Sequence, residues 1–123
     1  MADDALTAVL SLRRAGSRVG AERIALLEAV AAEGSITKAA KVLGLSYKGA
    51  WDAAQALNNL FDRPLIQAQA GGAKGGVAEL TPQGHAVLAA FRKVEAELGG
   101  VIARLEAGLG GAVIGELFWG LGM

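Results

Sequence analysis

Hydrophobic and polar positions change their period several times along this chain, and each change marks an element. Leu6, Ala8, Leu10 and Leu12 alternate with Thr7, Val9, Ser11 and Arg13, a period of two that predicts a strand. Ala15-Gly16-Ser17 breaks it. From about Ala21 the apolar residues Ile24, Leu26, Leu27, Val30 and Ala31 recur at helical spacing, and Glu33-Gly34 closes that helix. Ser35 is an N-cap for a short helix from Ile36 to Leu43, with Ala39, Ala40 and Leu43 inward. Gly44 interrupts, and Ser46 is a second N-cap. Tyr47 to Phe61 then places Ala50, Ala53, Ala54, Leu57 and Leu60 on one helical face.

Arg63-Pro64 stops that helix, because the residue before proline disfavours helical backbone. Leu65 to Gln69 and Val77 to Leu80 predict two strands flanking the glycine-rich stretch Gly71–Gly76, a hairpin with a long tip carrying Lys74. Thr81-Pro82 pairs a capping hydroxyl with proline at the first helical position. A helix from Pro82 to about Leu109 follows, roughly 42 Å at 1.5 Å per residue. Its apolar positions include Val87, Leu88, Phe91, Val94, Leu98, Val101, Ile102 and Leu105, and Gly99-Gly100 is a candidate kink. Such a helix outreaches a small domain, so its distal half lacks a packing partner within one chain. Residues 110–123 are glycine-broken and strongly apolar, a segment that needs a partner.

Composition narrows the chemistry. At 123 residues the chain allows one compact domain, and 53% hydrophobic residues supply a core. Aromatics are only 5%, so elements must approach through small side chains. There is no cysteine, which excludes disulfide scaffolds, zinc fingers and thiol nucleophiles. The single histidine, His85, has no partner for a metal cluster or a catalytic triad. The glycine-rich stretch lacks the Gly-Lys-Ser/Thr ending of a phosphate-binding loop. An acidic start and the lack of a long apolar run speak against a signal peptide or membrane span. The chain is not expected to be an enzyme.

The formal net charge is zero, but it is unevenly spread. Residues 10–78 carry nine basic and five acidic side chains, a charge of +4, while the regions before and after carry −2 each. A basic middle between acidic ends is compatible with nucleic acid, although an ordinary solvated surface also accommodates it.

The order strand, helix, helix, tight turn, helix, strand, glycine loop, strand, long helix is that of a winged helix-turn-helix. The expected fold is mainly α with a small β-sheet and a long C-terminal dimerisation helix. Leu43, Leu45 and Ala50 are expected to form the small core between the two helices of the motif. The second helix then enters a DNA major groove with its N-terminal residues towards base edges. Its outward residues are Ser46, Tyr47, Lys48, Trp51, Asp52 and Gln55, with Ser35, Thr37 and Lys38 at the start of the preceding helix and Lys74 on the wing. Trp51 is placed towards DNA, and the competing placement buries it against the wing or the first strand. Lys38, Lys41 and Lys48 on one motif favour phosphate contacts over plain solvation. Val87, Phe91, Val94, Leu98, Val101, Ile102 and Leu105 are the candidate dimerisation residues.

Ser46-Tyr47-Lys48-Gly49-Ala50-Trp51-Asp52-Ala53 resembles the recognition-helix signature of the ModE family of molybdate-responsive transcriptional regulators. Gly71–Gly76, followed by Leu80-Thr81-Pro82-Gln83-Gly84, is similar to that family's wing and the start of its dimer helix, and Gly34-Ser35-Ile36 with Ala39-Ala40 also fits. The resemblance covers roughly residues 6–105 and extends more distantly to LysR-type DNA-binding domains. It implies a cytoplasmic homodimer that binds palindromic operators in double-stranded DNA, most often as a repressor. Asp52 is also a feature of that family; it has no evident attraction to phosphate and is expected to orient Lys48 or Tyr47. Molybdate in that family binds a C-terminal β-barrel module, which is not expected here, so no cofactor is expected in this chain. The expected organisation is a winged helix-turn-helix domain over 1–81, the dimerisation helix over 82–109 and an apolar connector over 110–123. Two other readings remain: a winged-helix module that binds proteins, and a small oxyanion-binding protein using the glycine loop.

Overall fold

Helix ends decide this architecture, and they are set by small side chains. The computed structural model describes residues 5–69 and 76–120, with the helical backbone alone over 109–120. In order the elements are β1 (Leu12–Arg14), β2 (Ser17–Val19), α1 (Ala21–Glu33), α2 (Ile36–Leu43), α3 (Tyr47–Leu60), β3 (Ile66–Gln69), β4 (Val77–Leu80) and α4 (Pro82–Gly120). Gly34 closes α1 at φ 70°, its N–H donating to the Val30 carbonyl. The Ser35 hydroxyl accepts the Lys38 N–H at 3.2 Å and opens α2. Gly44, also at φ 70°, ends α2 in a left-handed conformation that costs glycine nothing. The Ser46 hydroxyl accepts the Gly49 N–H at 2.9 Å and opens α3.

Two separate antiparallel hairpins replace a single small sheet: β1 with β2, and β3 with β4. The alternating stretch from Leu6 predicted one strand ending near Arg13. Instead the ladder begins at Leu12 and pairs it with Val19, Arg13 with Arg18 and Arg14 with Ser17. The presumed break, Ala15-Gly16, is the turn itself, with φ 49° and 83°. Two left-handed residues in succession suit the right-handed twist of a tight hairpin.

The chain divides into two compact units, Leu10–Phe91 and Met1–Val9 with Arg92–Met123. The first holds the core. Ile24, Leu26, Leu27 and Val30 of α1 are fully buried, and they meet Ile36, Ala39 and Ala40 of α2 and Ala50, Ala54 and Leu57 of α3. Alanine at these faces lets the helices close to the packing density of an interior. Leu45, expected in the same core, is 42% exposed, because the turn after Gly44 carries it outwards. Val19, Leu65, Ile66, Ala78 and Leu80 seal the core from the hairpins.

Thr81 joins the second hairpin to α4. Its hydroxyl donates to the Pro64 carbonyl at 2.8 Å and accepts the Gly84 N–H at 2.9 Å. The helix passes so close to the preceding loop that a Cβ on Gly84 would lie 2.1 Å from the Leu65 carbonyl oxygen. Of the candidate dimerisation residues, Phe91 is 3% exposed and Val87 packs against the same core, so both serve this unit's own interior.

In the second unit Val94, Val101 and Leu105 are exposed, and Leu98 and Ile102 are half-buried. Arg92 bridges to Glu95 at 2.8 Å, and the Leu6 N–H donates to the Glu106 carboxylate at 3.0 Å. The helix does not stop at Leu109 as expected but runs through Gly120. Each interior glycine costs about 1 kcal/mol against alanine, a tax on the helix and not a terminator as proline would be. No helix among the described residues is long and apolar enough to cross a membrane.

Candidate nucleic-acid interface

Helices α2 and α3, joined by Gly44 and Leu45, present a face that the core leaves uncovered. The Leu45 N–H donates to the Ala40 carbonyl at 2.9 Å, tightening the turn. With Ala50, Ala54 and Leu57 inside, Tyr47, Lys48, Asp52 and Gln55 fall on the exposed side of α3. Tyr47 is 59% exposed. Lys48 Nζ lies 2.8 Å from Asp52 Oδ2, one helical turn away. The hydrogen bond and charge of Asp52 push the Lys48 ammonium above the usual lysine range. Asp52 thus does what its position one turn on allows: it orients Lys48 along the helix surface. It also neutralises the one cation of α3, so this helix offers hydrogen-bonding groups and an aromatic ring more than net charge.

Trp51 departs from its expected outward placement. It is half-buried and packs against the core, with its ring centroid 6.1 Å from that of Tyr47. Together with Gln55, Asn58, Ile66 and Ala68 it lines a cleft of about 330 Å³ between α3 and β3. The indole N–H is closed off from solvent and has no acceptor among the described residues. The reason is the wing: β3 runs beside α3 and covers a position that a helical wheel alone leaves outside. Tyr47 is therefore the aromatic that remains available.

At the start of α2 the site residues also divide. Ser35 is 7% exposed, and its hydroxyl is committed to the cap, so its side chain is not an open contact. Thr37 is half-buried and Lys38 exposed, as is Lys41 near the end of α2. Ser46 is exposed, although its hydroxyl caps α3. Lys74 lies outside the described residues.

Two features escaped sequence reasoning. Asn58 ties α3 to the wing: its Oδ1 accepts the N–H groups of Leu65 at 2.8 Å and Ile66 at 3.0 Å, and its Nδ2 donates to the Ile66 carbonyl at 3.1 Å. Nothing in the local sequence announces it. The second is a cluster of exposed arginines, Arg13, Arg14 and Arg18, gathered by the β1–β2 hairpin. A two-residue turn at Ala15-Gly16 between basic residues was the available signal. Arg18 bridges to Glu22 at 2.7 Å. Hydrogen bonding at Glu22's own backbone, and then the Arg18 guanidinium, hold the Glu22 carboxyl below the usual range.

The chain has known relatives at each level. It is 50% identical over 110 residues to the molybdenum-pterin-binding protein MopA of Rhodobacter capsulatus, covering 89% of this chain and 42% of that protein. It is 44% identical over 66 residues to the DNA-binding transcriptional dual regulator ModE of Escherichia coli K12, covering 54% of this chain and 25% of the regulator. The chain thus spans less than half the length of these relatives. Its structure is similar to that of full-length CbnR complexed with its target DNA, at a TM-score of 0.53 and 28% identity over 72% of this chain and 28% of CbnR. Residues 21–85, from the start of α1 into the first turn of α4, match the helix-turn-helix of bacterial regulators. The chain belongs to the lysR family of bacterial regulatory helix-turn-helix proteins.

Proposed function

We propose that this chain is the DNA-binding part of a molybdate-responsive transcription regulator of the ModE type, acting in the cytoplasm as a dimer on palindromic operators. The observation that carries this reading is the uncovered face of the α2–α3 motif. Tyr47, Lys48 and Gln55 stand free of the core on a helix capped by Ser46, and Lys38 flanks them. The motif geometry suits a recognition helix in the major groove. Tyr47 offers a ring and hydroxyl to base or sugar edges, and Lys38 and Lys41 offer phosphate contacts.

Dimerisation rests on α4. Val94, Leu98, Val101 and Leu105 follow one another at alternating steps of four and three, the seam of a two-helix coil. Pairing there sets two recognition helices on successive grooves, about 34 Å apart. The reading assigns no enzymatic activity and no cofactor to this chain, and leaves the molybdate response to a separate module.

The test is a titration against duplexes from a molybdate-transporter promoter and against random duplexes of equal length at matched salt. Preference for the promoter duplex supports the reading, and equal affinity for both overturns its sequence-specific part. Calorimetry of the chain with molybdate is expected to show no heat of binding.

A further inference from the structure

The β1–β2 hairpin lies before residue 21, outside the stretch that matches the helix-turn-helix family, and the function proposed above makes no use of it. Its construction is unusual for a surface ribbon. Arg13 and Arg18 are directly opposed across the ladder. Like charges so placed repel, and side-chain pairing that served stability alone would avoid them. Strand alternation puts the two guanidinium groups on the face opposite Val19, which is 1% exposed and anchors the hairpin in the core. Arg14 flanks the turn on the other face. Glu22 answers Arg18, but among the described residues neither Arg13 nor Arg14 has a salt-bridge partner.

The hairpin is also fixed in place. Strand β2 packs against both α1 and α3, so its arginines are carried on the same unit as the recognition helix. That helix is electrically neutral, with Lys48 engaged by Asp52. The cations missing from α3 are thus concentrated on its neighbour, and as arginine instead of lysine. A guanidinium fork matches the paired oxygens of a phosphodiester and is more weakly hydrated than an ammonium. Phosphates on either side of the hairpin tip relieve Arg13 of its repulsion by Arg18 and give Arg14, on the other face, the counter-charge it lacks.

We propose that the β1–β2 hairpin is a second DNA-backbone contact, in which Arg13 and Arg14 bind phosphates of the duplex and add affinity without reading sequence. The proposal rests on the DNA-binding reading above.

The experiment compares the full chain with its Arg13→Gln/Arg14→Gln variant, titrated on promoter and random duplexes over a range of salt. Loss of two phosphate contacts is expected to flatten the salt dependence by about two in slope. The fall in affinity between about 50 and 200 mM salt then becomes about tenfold smaller, equally on both duplexes. Arg13→Lys/Arg14→Lys keeps the charge and is expected to keep the slope. Thermal melting of Arg13→Gln/Arg14→Gln should hold or rise, since the repulsion between Arg13 and Arg18 is removed, so weaker binding cannot be laid to unfolding. Unchanged affinity and slope in the glutamine variant, beside an unmodified chain that binds DNA, overturns the hairpin contact and leaves the functional reading intact. An unmodified chain that binds neither duplex overturns the functional reading, and this inference with it.

Discussion

Two stretches of α4 repeat the same spacing of apolar residues and meet different surroundings. Val87 and Phe91 stand four apart and turn into the core of the first unit, where Phe91 is 3% exposed. Val94, Leu98, Val101 and Leu105 continue the pattern, and three of these four are exposed, Val101 at 48%. The spacing therefore states that one face of the helix is to be covered, but not by what. Over the first stretch it is the chain's own helices and wing. Over the second, the proposed cover is a second copy of α4.

The sharpest way to break this contrast is at Phe91. Phe91→Ala should lower folding stability by about 3–5 kcal/mol, measured by denaturant unfolding. A loss below about 1 kcal/mol would place Phe91 with the exposed stretch. Gly84→Ala acts on the same junction by overpacking. Its new Cβ meets the Leu65 carbonyl, so a loss of roughly 1–3 kcal/mol is expected in the same measurement. Trp51 tests the boundary between covered and free from the other side. Trp51→Ala should cost about 2 kcal/mol, and Trp51→Phe under about 1, because the phenyl ring keeps the packing and the buried indole N–H is removed. An unchanged melting temperature in Trp51→Ala would return this residue to the open DNA-facing set.

In the exposed stretch, Leu98→Asp with Ile102→Asp should convert dimers to monomers in sedimentation while unfolding of the Phe91 core is retained. Unchanged sedimentation would remove α4 from the interface. The smallest effect is expected at the Lys48–Asp52 pair. Asp52→Asn releases Lys48 and should steepen the salt dependence of DNA binding by about one. The raised Lys48 value gives a sign for pH as well. Any stabilisation from the pair is complete below the ordinary lysine range and is lost as pH climbs through the raised value. Binding should thus be insensitive to this group near neutrality, as a pH series on the duplex can check.

What could be read from residues alone follows from how local each determinant is. Gly34, Ser35, Gly44, Ser46 and Thr81 act on their own helix ends within a few residues, and they mark the same boundaries in the sequence as in the fold. The β1–β2 ladder is different, since opposing Arg13 to Arg18 runs against any preference for complementary pairs. The end of α4 escaped because glycine raises the cost of a helix by degrees, leaving no sharp signal at Leu109. For Trp51 the deciding neighbour is β3, distant enough in the chain that helical periodicity says nothing of it. The expectation that Asp52 orients Lys48 or Tyr47 left the partner open, and the structure gives it Lys48, four residues back on the same helix face.

The three hydrogen bonds of Asn58 impose a rule on chain length. They span seven and eight residues, from late in α3 to the opening of β3. An insertion or deletion between them would move the wing off the helix that holds it, so that connection is a fixed measure. Variation in the length of that connection, natural or engineered, is therefore resisted. One amide sets the length of chain between helix and wing.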